Sequence, residues 1–192
     1  PPVTVHPVEI VGATTFVAHV IPDGSTAAGV EQRIKAATKG TGKSTAPAKW
    51  RKNLHVVAPF DGASYRAKIT AVSGSGEQCE VVFIDYGNKD VVESSDLEPL
   101  DPASLTQLPA QALTVSLAAV KPAPEVEDGL AAEAAGMLGR LVFGKNVSLV
   151  ITHRPEAGFA SGIVSDTESG LCVNNAMVRA GLAIIAAAGG RG

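Results

Sequence analysis

The sequence has few aromatic residues, few cysteines and no long apolar run, and each shortage excludes a class of protein. Aromatic residues make up only 4% of the 192 residues, so any cluster of them is informative. Cys79 and Cys172 are far apart and have no metal-ligand spacing. We expect two free thiols in a reducing compartment, no metal and no cofactor, with one disulfide as the alternative. No apolar run approaches the roughly 20 residues of a bilayer-spanning helix, so no membrane partner is expected.

The chain also lacks a large excess of charge of either sign. The chain has 16 Lys and Arg residues and 19 Asp and Glu residues, which gives a net charge of −3. This balance excludes a wholly basic nucleic-acid coat and a disordered acidic tail. Hydrophobic residues reach 45%, which suits a globular core, and 20 Gly with 12 Pro favour short strands and turns over a helical bundle. The chain does not begin with Met, so we expect a fragment of a larger protein.

Charge is nevertheless distributed unevenly along the chain. Residues 32–60 contain seven Lys and Arg residues and no acid, whereas residues 61–100 contain eight acids and three Lys or Arg residues. One interpretation is a solvated linker followed by a solvated barrel. The other is that the acidic part attracts a cationic ligand and the basic part attracts phosphate.

The first half of the chain shows the pattern of short strands around one helix. Residues 3–21 predict a two-stranded hairpin closed by the turn at residues 22–24, and Ser25 predicts a helix through Thr38. Between Leu54 and Leu100 four short strands alternate with Gly-containing turns, which is typical of a small barrel. These strands are predicted at residues 55–57, 65–72, 80–85 and 90–92.

The second half mixes strands and helices. Strands are predicted at residues 112–120, 146–152 and 158–164, and a short helix is predicted between a cap at Asn174 and a stop at Gly181. A longer helix is predicted from apolar residues at helical spacing on one face, namely Val126, Leu130, Ala134, Met137, Leu138 and Leu141. The two ends of the chain therefore bracket an all-β insert.

Two patterns that suggest chemistry do not meet their full requirements. Residues 40–44, Gly-Thr-Gly-Lys-Ser, resemble a phosphate-binding loop, but the first glycine of that motif is replaced by Ala37 and the segment leads into Pro47. The four histidines have no Cys or Glu neighbour at ligand spacing, and no Gly-x-Ser-x-Gly elbow occurs. We therefore expect neither a nucleotide site nor a catalytic residue.

The scarce aromatic residues cluster in the predicted barrel. Four of the eight lie between residues 60 and 86: Phe60, Tyr65, Phe83 and Tyr86. Such residues can simply form a barrel core. They can also form a binding cage, because Tyr65 and Tyr86 lie beside turns and charged residues. Strict alternation puts Phe83 and Tyr86 on opposite faces, but the turn that begins near Tyr86 can bring its ring back.

This region resembles a known family. The string Val-Phe-Ile-Asp-Tyr-Gly-Asn at residues 82–88, preceded by Asp-Gly-Ala-Ser-Tyr-Arg-Ala at residues 61–67, resembles the Tudor domain. The segments at residues 6–9 and 173–177, with Gly181-Leu182, resemble the split staphylococcal-nuclease-like domain that surrounds a Tudor module. Together they resemble the extended Tudor region of the Tudor-SN family.

The resemblance implies a mainly β fold with a few helices. A five-stranded Tudor barrel of the SH3-like type is inserted into an OB-fold, staphylococcal-nuclease-like domain. The implied boundaries are residues 1–35 and 105–192 for the split OB domain, 36–48 for the linking helix and linker, and 49–104 for the Tudor barrel.

The resemblance also implies a function, which is binding of symmetrically dimethylated arginine in Arg-Gly-rich tails of partner proteins. The family's cage carries over to Tyr65, Phe83 and Tyr86, with Asn88 as polar contact, and a one-residue loop shift brings in Phe60. The fragment is then a non-enzymatic part of an RNA-processing or RNA-silencing regulator. We expect it in the cytoplasm, with the nucleus and RNA granules as further locations.

Two other functions remain open. A nuclease needs paired carboxylates and arginines, but the nearby acids are Glu9, Asp23 and Glu31, and no arginine precedes Arg33. RNA binding is the other alternative, through the OB-like part and the basic strip at residues 33–52.

Overall fold

The computed structural model describes residues 1–186, apart from the side chains at residues 127 and 128. This part of the chain contains twelve strands and four α-helices. The strands are β1 (Val3–Gly12), β2 (Thr15–Val20), β3 (His55–Phe60), β4 (Ala63–Val72), β5 (Gln78–Phe83), β6 (Lys89–Glu93), β7 (Glu98–Pro99), β8 (Leu113–Leu117), β9 (Val120–Pro122), β10 (Val147–His153), β11 (Phe159–Asp166) and β12 (Ala183–Ile185). The α-helices are α1 (Ala27–Ala37), α2 (Pro102–Gln107), α3 (Ala131–Val142) and α4 (Val173–Arg179). Short 3₁₀ segments occur at Lys43–Thr45 and Ser94–Asp96, and a π-helical segment occurs at Val126–Leu130.

The chain forms two compact units. The split unit consists of Pro1–Ala27 and the described residues from Leu113 onward. The inserted unit consists of Ala28–Ala112. The fold is thus mainly β with a few helices, and its second unit interrupts the first in sequence.

The split unit is built on a closed five-stranded barrel. Its strands follow the order β1-β10-β11-β8-β2 around the barrel, so two strands precede the insert in the chain and three follow it. All neighbours are antiparallel except β8 and β11, which are parallel. Alternate strand residues fill the interior, including the fully buried Val5, Phe16 and Leu149. Closure leaves no strand edge unpaired in this barrel.

The predicted N-terminal hairpin is present, but its turn lies elsewhere. Strands β1 and β2 are antiparallel, with His6 opposite His19, and the chain reverses at residues 13 and 14. The predicted closing turn at residues 22–24 instead leads into α1. Two register shifts in β1 break its alternation, which is why a count of β-branched residues misplaces the turn.

The predicted apolar helix face is correct for most of its length and wrong at Leu130. Ala134 and Leu138 of α3 are buried, whereas Leu130 is 40% exposed. Gly129 has a φ of 151°, which is not helical, so the segment that contains Val126 is separated from α3. The spacing across this break therefore no longer places Leu130 on the buried face.

Helix α4 ends as predicted, but it does not begin with an Asn174 cap. Cys172 occupies the cap position, and Asn174 lies inside the helix with a buried side chain. Its Nδ2 donates to the carbonyl oxygens of Ala118 and Gly162, and its Oδ1 accepts from Val164 N–H. The Asn174 side chain therefore connects α4 by hydrogen bonds to strand β11 and to the residue that follows β8. Gly181 follows the helix with a φ of 71°, a conformation that favours glycine.

The inserted unit carries a five-stranded sheet in the order β6-β5-β4-β3-β7. The four predicted strands correspond to β3 to β6, and the two-residue β7 is an addition. Alternate residues of β3, β4 and β5 point into a common core that includes Val56, Ile69 and Val81. This sheet supports the aromatic cluster.

The glycine-rich segment that resembles a phosphate loop packs against strand β7 within the inserted unit. Thr41 N–H donates to the carbonyl oxygen of Pro99 at 2.9 Å, and Gly42 N–H donates to Glu98 Oε1 at 3.0 Å. A Cβ at Gly40 would lie 1.5 Å from Glu98 Oε1, so glycine is needed for this close approach. The Glu98 carboxylate thus accepts the hydrogen bond from the Gly42 amide that a bound phosphate would otherwise accept.

Three sequence expectations concern the chain as a whole. The prediction of free thiols is confirmed: Cys79 is buried and Cys172 is partly exposed, both unbridged. Among residues 1–186, no helix is both long and apolar enough to span a bilayer. The same residues contain no group of three or more His, Cys, Asp or Glu side chains arranged to hold a metal ion.

Candidate functional site

The four predicted aromatic residues meet at one end of the inserted unit's sheet. The ring centroids of Phe60 and Phe83 are 5.3 Å apart, and those of Tyr65 and Tyr86 are 5.5 Å apart. Tyr65 lies 5.9 Å from Phe83 and 6.3 Å from Phe60. Three of these four contacts are edge-to-face, an arrangement that favours attraction between aromatic quadrupoles.

The four rings differ in exposure, and this divides them into two roles. Phe60 is 40% exposed, and Tyr65 and Tyr86 are half-buried. Phe83 is 1% exposed, so it belongs to the core and supports Phe60 and Tyr65. Three rings are therefore accessible to a ligand, and direct ligand contact by Phe83 stays a prediction.

The β3–β4 hairpin positions Phe60 and Tyr65. Its two turn residues, Asp61 and Gly62, have φ values of 47° and 77°. An Asp-Gly pair is typical of such a tight hairpin turn, because both of its residues adopt positive φ. Phe60 ends β3, and Tyr65 lies on β4 opposite Ala58. The short turn thus holds both rings at the same end of the sheet.

The β5–β6 turn brings Tyr86 to the cluster. Tyr86 N–H and Gly87 N–H both donate to the carbonyl oxygen of Phe83, at 3.2 and 2.7 Å, and Phe83 N–H donates to that of Asn88 at 2.9 Å. Gly87 has a φ of 80°, which a residue with a side chain rarely adopts. The turn thus brings the Tyr86 ring within 5.5 Å of the Tyr65 ring, which strict strand alternation alone would not do.

A buried ion pair lies directly behind this turn. Arg66 Nε donates to Asp85 Oδ2 at 2.9 Å, and Arg66 Nη2 donates to Asp85 Oδ1 at 2.6 Å. Both side chains are inaccessible to solvent, at 0% and 1% exposure. Both carboxylate oxygens of Asp85 are thus engaged by Arg66. Arg66 follows Tyr65 and Asp85 precedes Tyr86, so the ion pair fixes strand β4 next to Tyr65 to the β5–β6 turn next to Tyr86.

Helix α2 completes the surroundings of Arg66. Arg66 Nη1 donates to the carbonyl oxygen of Leu108 at 2.6 Å, and Nη2 donates to that of Pro109 at 3.2 Å. Asp85 Oδ1 in turn accepts from Gln111 N–H at 3.0 Å. The guanidinium thus donates to carbonyl oxygens at and just beyond a helix C-terminus, where a cation is favourable. Sequence patterns did not reveal these acceptors.

The phenol of Tyr86 is held in its neutral form. Burial raises its pKa to about 12, with further contributions from the negative charge of Glu31 on α1, from Tyr65 and from Asp85. The ring therefore carries no charge at physiological pH and keeps its hydroxyl proton. A neutral phenol presents an electron-rich face without a formal charge.

Asn88 lies two residues beyond Tyr86 and is half-buried. Within residues 1–186, no hydrogen bond from its side chain to another side chain or to the backbone is present. Its amide oxygen can accept from a ligand N–H, and its amide nitrogen can donate. Asn88 thus offers a polar group beside the rings.

The arrangement suits binding of an organic cation. Three accessible neutral rings attract a cation through their faces, most strongly one that is weakly hydrated. The acids considered for a nuclease do not form a comparable site: Glu9 lies on β1, Asp23 in the turn before α1 and Glu31 on α1. Within the described residues no metal-ligating cluster contains them.

Several curated proteins are similar in sequence to part of this chain. Tudor domain-containing protein 1 of Oryzias latipes is 38% identical over 95 residues, which are 48% of this chain and 8% of that protein. Ribonuclease TUDOR 1 of Arabidopsis thaliana is 35% identical over 111 residues, which are 57% of this chain and 10% of that protein. The chain thus spans about a tenth or less of these two relatives.

Solved structures resemble nearly the whole chain. The extended Tudor domain TD3 of mouse TDRD1 matches with a TM-score of 0.79 and 20% identity, covering 97% of this chain and 94% of that one. The extended Tudor domain of Drosophila melanogaster Tudor-SN matches with a TM-score of 0.78 and 24% identity, covering 100% and 87%. The fold is therefore that of extended Tudor domains.

The family model for the Tudor domain matches residues 3–119, which is more than half of the chain. This match includes all four clustered aromatics, the Arg66–Asp85 pair and Asn88. The protein belongs to the Tudor domain family.

Proposed function

We propose that this protein binds symmetrically dimethylated arginine in the tails of partner proteins. The observation that carries the proposal is the cluster of Phe60, Tyr65, Phe83 and Tyr86, three of whose rings are accessible. Two structural relatives support it. Mouse TDRD1 TD3 has been solved with a MILI peptide containing dimethylarginine, and the human TDRD1 domain, at 22% identity, with a symmetrically dimethylated peptide.

The rings account for a preference for the methylated side chain. A dimethylated guanidinium keeps its positive charge but has fewer N–H donors, so transfer out of water costs it less than it costs arginine. The faces of Phe60, Tyr65 and Tyr86 receive the cation, each contributing roughly 0.5–2 kcal/mol when well placed. The Asn88 amide oxygen accepts a hydrogen bond from a remaining ligand N–H.

The charge of the surrounding segment favours Arg-Gly-rich tails. Residues 61–100 carry eight acids against three Lys or Arg residues. Such a surface attracts a cationic tail over several ångströms and mainly raises the association rate. The rings then select the modified arginine from the unmodified ones.

The biological setting follows from the same proposal. A module that binds modified tails serves as an adaptor, and Tudor domains are binding modules without catalytic activity of their own. We place this one in an RNA-processing or RNA-silencing regulator of the Tudor-SN type, acting in the cytoplasm, nucleus or RNA granules. The split barrel is then the OB-like, nuclease-like part around the Tudor module.

A titration with matched peptides tests the function. One Arg-Gly peptide, unmodified and symmetrically dimethylated at a single arginine, is titrated into the protein by calorimetry. We expect tighter binding of the dimethylated peptide. Tyr86→Ala should weaken that binding about 2- to 30-fold, because one ring face is lost. Phe159→Ala, which removes an exposed ring from β11 of the split unit, should leave it unchanged.

Equal affinity for the two peptides would contradict the proposed function. So would a folded Tyr86→Ala protein that binds as tightly as the wild type. Circular dichroism of each variant establishes that it is folded.

A further inference from the structure

We infer that the inserted unit has a second binding site, for single-stranded nucleic acid, in a pocket beside Trp50. The pocket has a volume of about 510 Å³ and lies between the segment before β3, the β4–β5 turn and the 3₁₀ turn after β6. None of the four cage aromatics lines it. The pocket is therefore distinct from the aromatic cluster.

The pocket is lined by hydroxyl groups and by one large aromatic ring. Serine residues contribute from two turns, namely Ser73, Ser75, Ser94 and Ser95. The β4–β5 turn is held by hydrogen bonds of its own, since Gln78 N–H donates to Ser73 Oγ at 3.1 Å and Glu77 N–H donates to Ser75 Oγ at 3.3 Å. Ser94 Oγ donates to the carbonyl oxygen of Gly76 at 2.7 Å, and the hydroxyls of Ser73 and Ser75 lie 3.3 Å apart. The walls are thus ordered and polar, and their hydroxyl oxygens can still accept a hydrogen bond from a ligand.

Trp50, the only tryptophan of the chain, supplies the ring. Its Nε1–H donates to the carbonyl oxygen of Ser94 at 3.0 Å, which fixes the orientation of the indole. The ring is half-buried and packs partly against the core of the inserted unit. A base can stack on a fixed, accessible indole, and such stacking tolerates any base.

Three cations flank this ring. Lys49, Arg51 and Lys52 are exposed neighbours of Trp50 in the sequence, and Lys49 also lines the pocket. Within residues 1–186 none of their side chains forms an ion pair or hydrogen bond. The following backbone is ordered, because Asn53 N–H donates to the carbonyl oxygen of Ile69 at 2.8 Å and Ile69 N–H donates to that of Leu54 at 2.9 Å. The backbone that carries the three positive charges is therefore ordered next to Trp50.

A nucleic-acid strand uses all of these features together. Its phosphates neutralise the three cations, a base stacks on Trp50, and its sugar meets the serine hydroxyls. An acidic protein segment would use the cations alone. Among the acids of the neighbouring turns, Asp96 lies 4.0 Å from Lys43 Nζ, Glu93 accepts from Gln78 Nε2 at 2.8 Å, and Glu77 follows Gly76 of the pocket wall.

Trp50 fluorescence gives a direct test. Unlabelled decauridine, as RNA and as the corresponding DNA, is titrated into the whole protein at low salt, and quenching is recorded. We expect saturable quenching that weakens with salt. The slope of log affinity against log salt should be about −2, because three phosphate contacts each contribute roughly 0.7. Tighter binding of the RNA strand would assign the 2′-hydroxyl as an added contact.

Variants locate the site, with fluorescein-labelled decauridine and anisotropy as the readout. Lys49→Gln/Arg51→Gln/Lys52→Gln should lower the affinity at least tenfold and bring the slope close to zero. The control variant Lys121→Gln/Arg154→Gln/Arg179→Gln removes the same charge from exposed positions of the split unit. It should change the affinity for decauridine less than threefold. Trp50→Ala should lower it about tenfold, and Trp50→Phe, which keeps a ring in the core, should lower it less.

Three results would overturn the inference: no quenching at low salt, equal losses in the two triple variants, or equally tight binding of a polyglutamate peptide. The test is independent of the methylarginine proposal. Tyr86→Ala should leave decauridine affinity unchanged, and the Lys49→Gln/Arg51→Gln/Lys52→Gln variant should bind the dimethylated peptide like the wild type.

Discussion

Phe60 is the most exposed ring of the cage and the residue whose assignment depended on a loop shift. Its centroid lies 5.3 Å from that of Phe83 and 6.3 Å from that of Tyr65. The Asp61–Gly62 turn determines the outcome, because Phe60 closes the hairpin opposite Ala63 and its ring joins the cluster.

Truncation of Phe60 should affect binding more than stability. Phe60→Ala removes a ring that is 40% exposed, so the free energy of unfolding should fall by about 1 kcal/mol or less. Affinity for the dimethylated peptide should fall about 2- to 30-fold, since one cation–π contact is lost. Calorimetry and urea unfolding measure the two effects. Phe60→Tyr, which keeps a ring, is the control, and an Ala variant with wild-type affinity would remove Phe60 from the cage.

At the scale of elements, the β5–β6 turn depends on the buried pair of Arg66 and Asp85. Asp85→Asn keeps the shape of the side chain but leaves the guanidinium buried without its counter-charge. The free energy of unfolding should fall by about 3–5 kcal/mol, and affinity for the peptide should fall with it, because Tyr86 follows this position. Chemical denaturation and calorimetry measure the two losses.

The double variant Arg66→Met/Asp85→Leu separates charge from shape. With no buried charge left, it should be more stable than Asp85→Asn alone. A double variant that is less stable than the single one would mean that the carbonyls of Leu108 and Pro109, rather than Asp85, are the principal partners of Arg66.

The elements also show how far the sequence could predict the site. The Tudor-like string placed Asp85 and Tyr86 correctly, because turn geometry depends on local residues such as Gly87. The acceptors on α2 could not be predicted, since a backbone carbonyl has no side-chain signature. Leu130 was misplaced because helical spacing assumes an unbroken helix. Asn174 was misplaced because a capping side chain and a buried bridging side chain look alike in sequence.

At the scale of the whole molecule, three titrating groups limit the pH range of stability. Burial, with Lys68 and Arg66, lowers the pKa of His55 below its ordinary 6.5. Hydrogen bonds from Lys145 and from the Ser169 and Glu168 amides lower the pKa of Asp166. A group whose pKa is lower in the folded state than in the unfolded state stabilises the fold at pH values above its unfolded-state pKa. This contribution is lost as the pH falls through its folded-state pKa.

Tyr86 has the opposite effect. Its pKa rises from 10.0 to about 12 in the fold, so its contribution is present below pH 10 and is lost as the pH rises to about 12. The free energy of unfolding should therefore form a plateau between about pH 6.5 and 10 and fall on both sides. Urea unfolding at a series of pH values measures the profile.

Single variants assign the two limbs of this profile. Tyr86→Phe should reduce the alkaline decline, and Asp166→Asn should reduce the acid one. An unaltered alkaline limb in Tyr86→Phe would mean that other groups cause it.

The interruption of one unit by the other has a consequence for synthesis. The first barrel strands, β1 and β2, are complete by Val20, but the barrel cannot close until β11 ends at Asp166. At roughly 5–20 residues per second, a ribosome needs about 7 to 30 seconds to add those intervening residues. During that time the inserted unit, whose residues 28–112 are contiguous, emerges whole. The inserted unit can thus fold first on the ribosome. During that time the N-terminal hairpin lacks its barrel neighbours β8 and β10, and chaperones can protect its exposed edges.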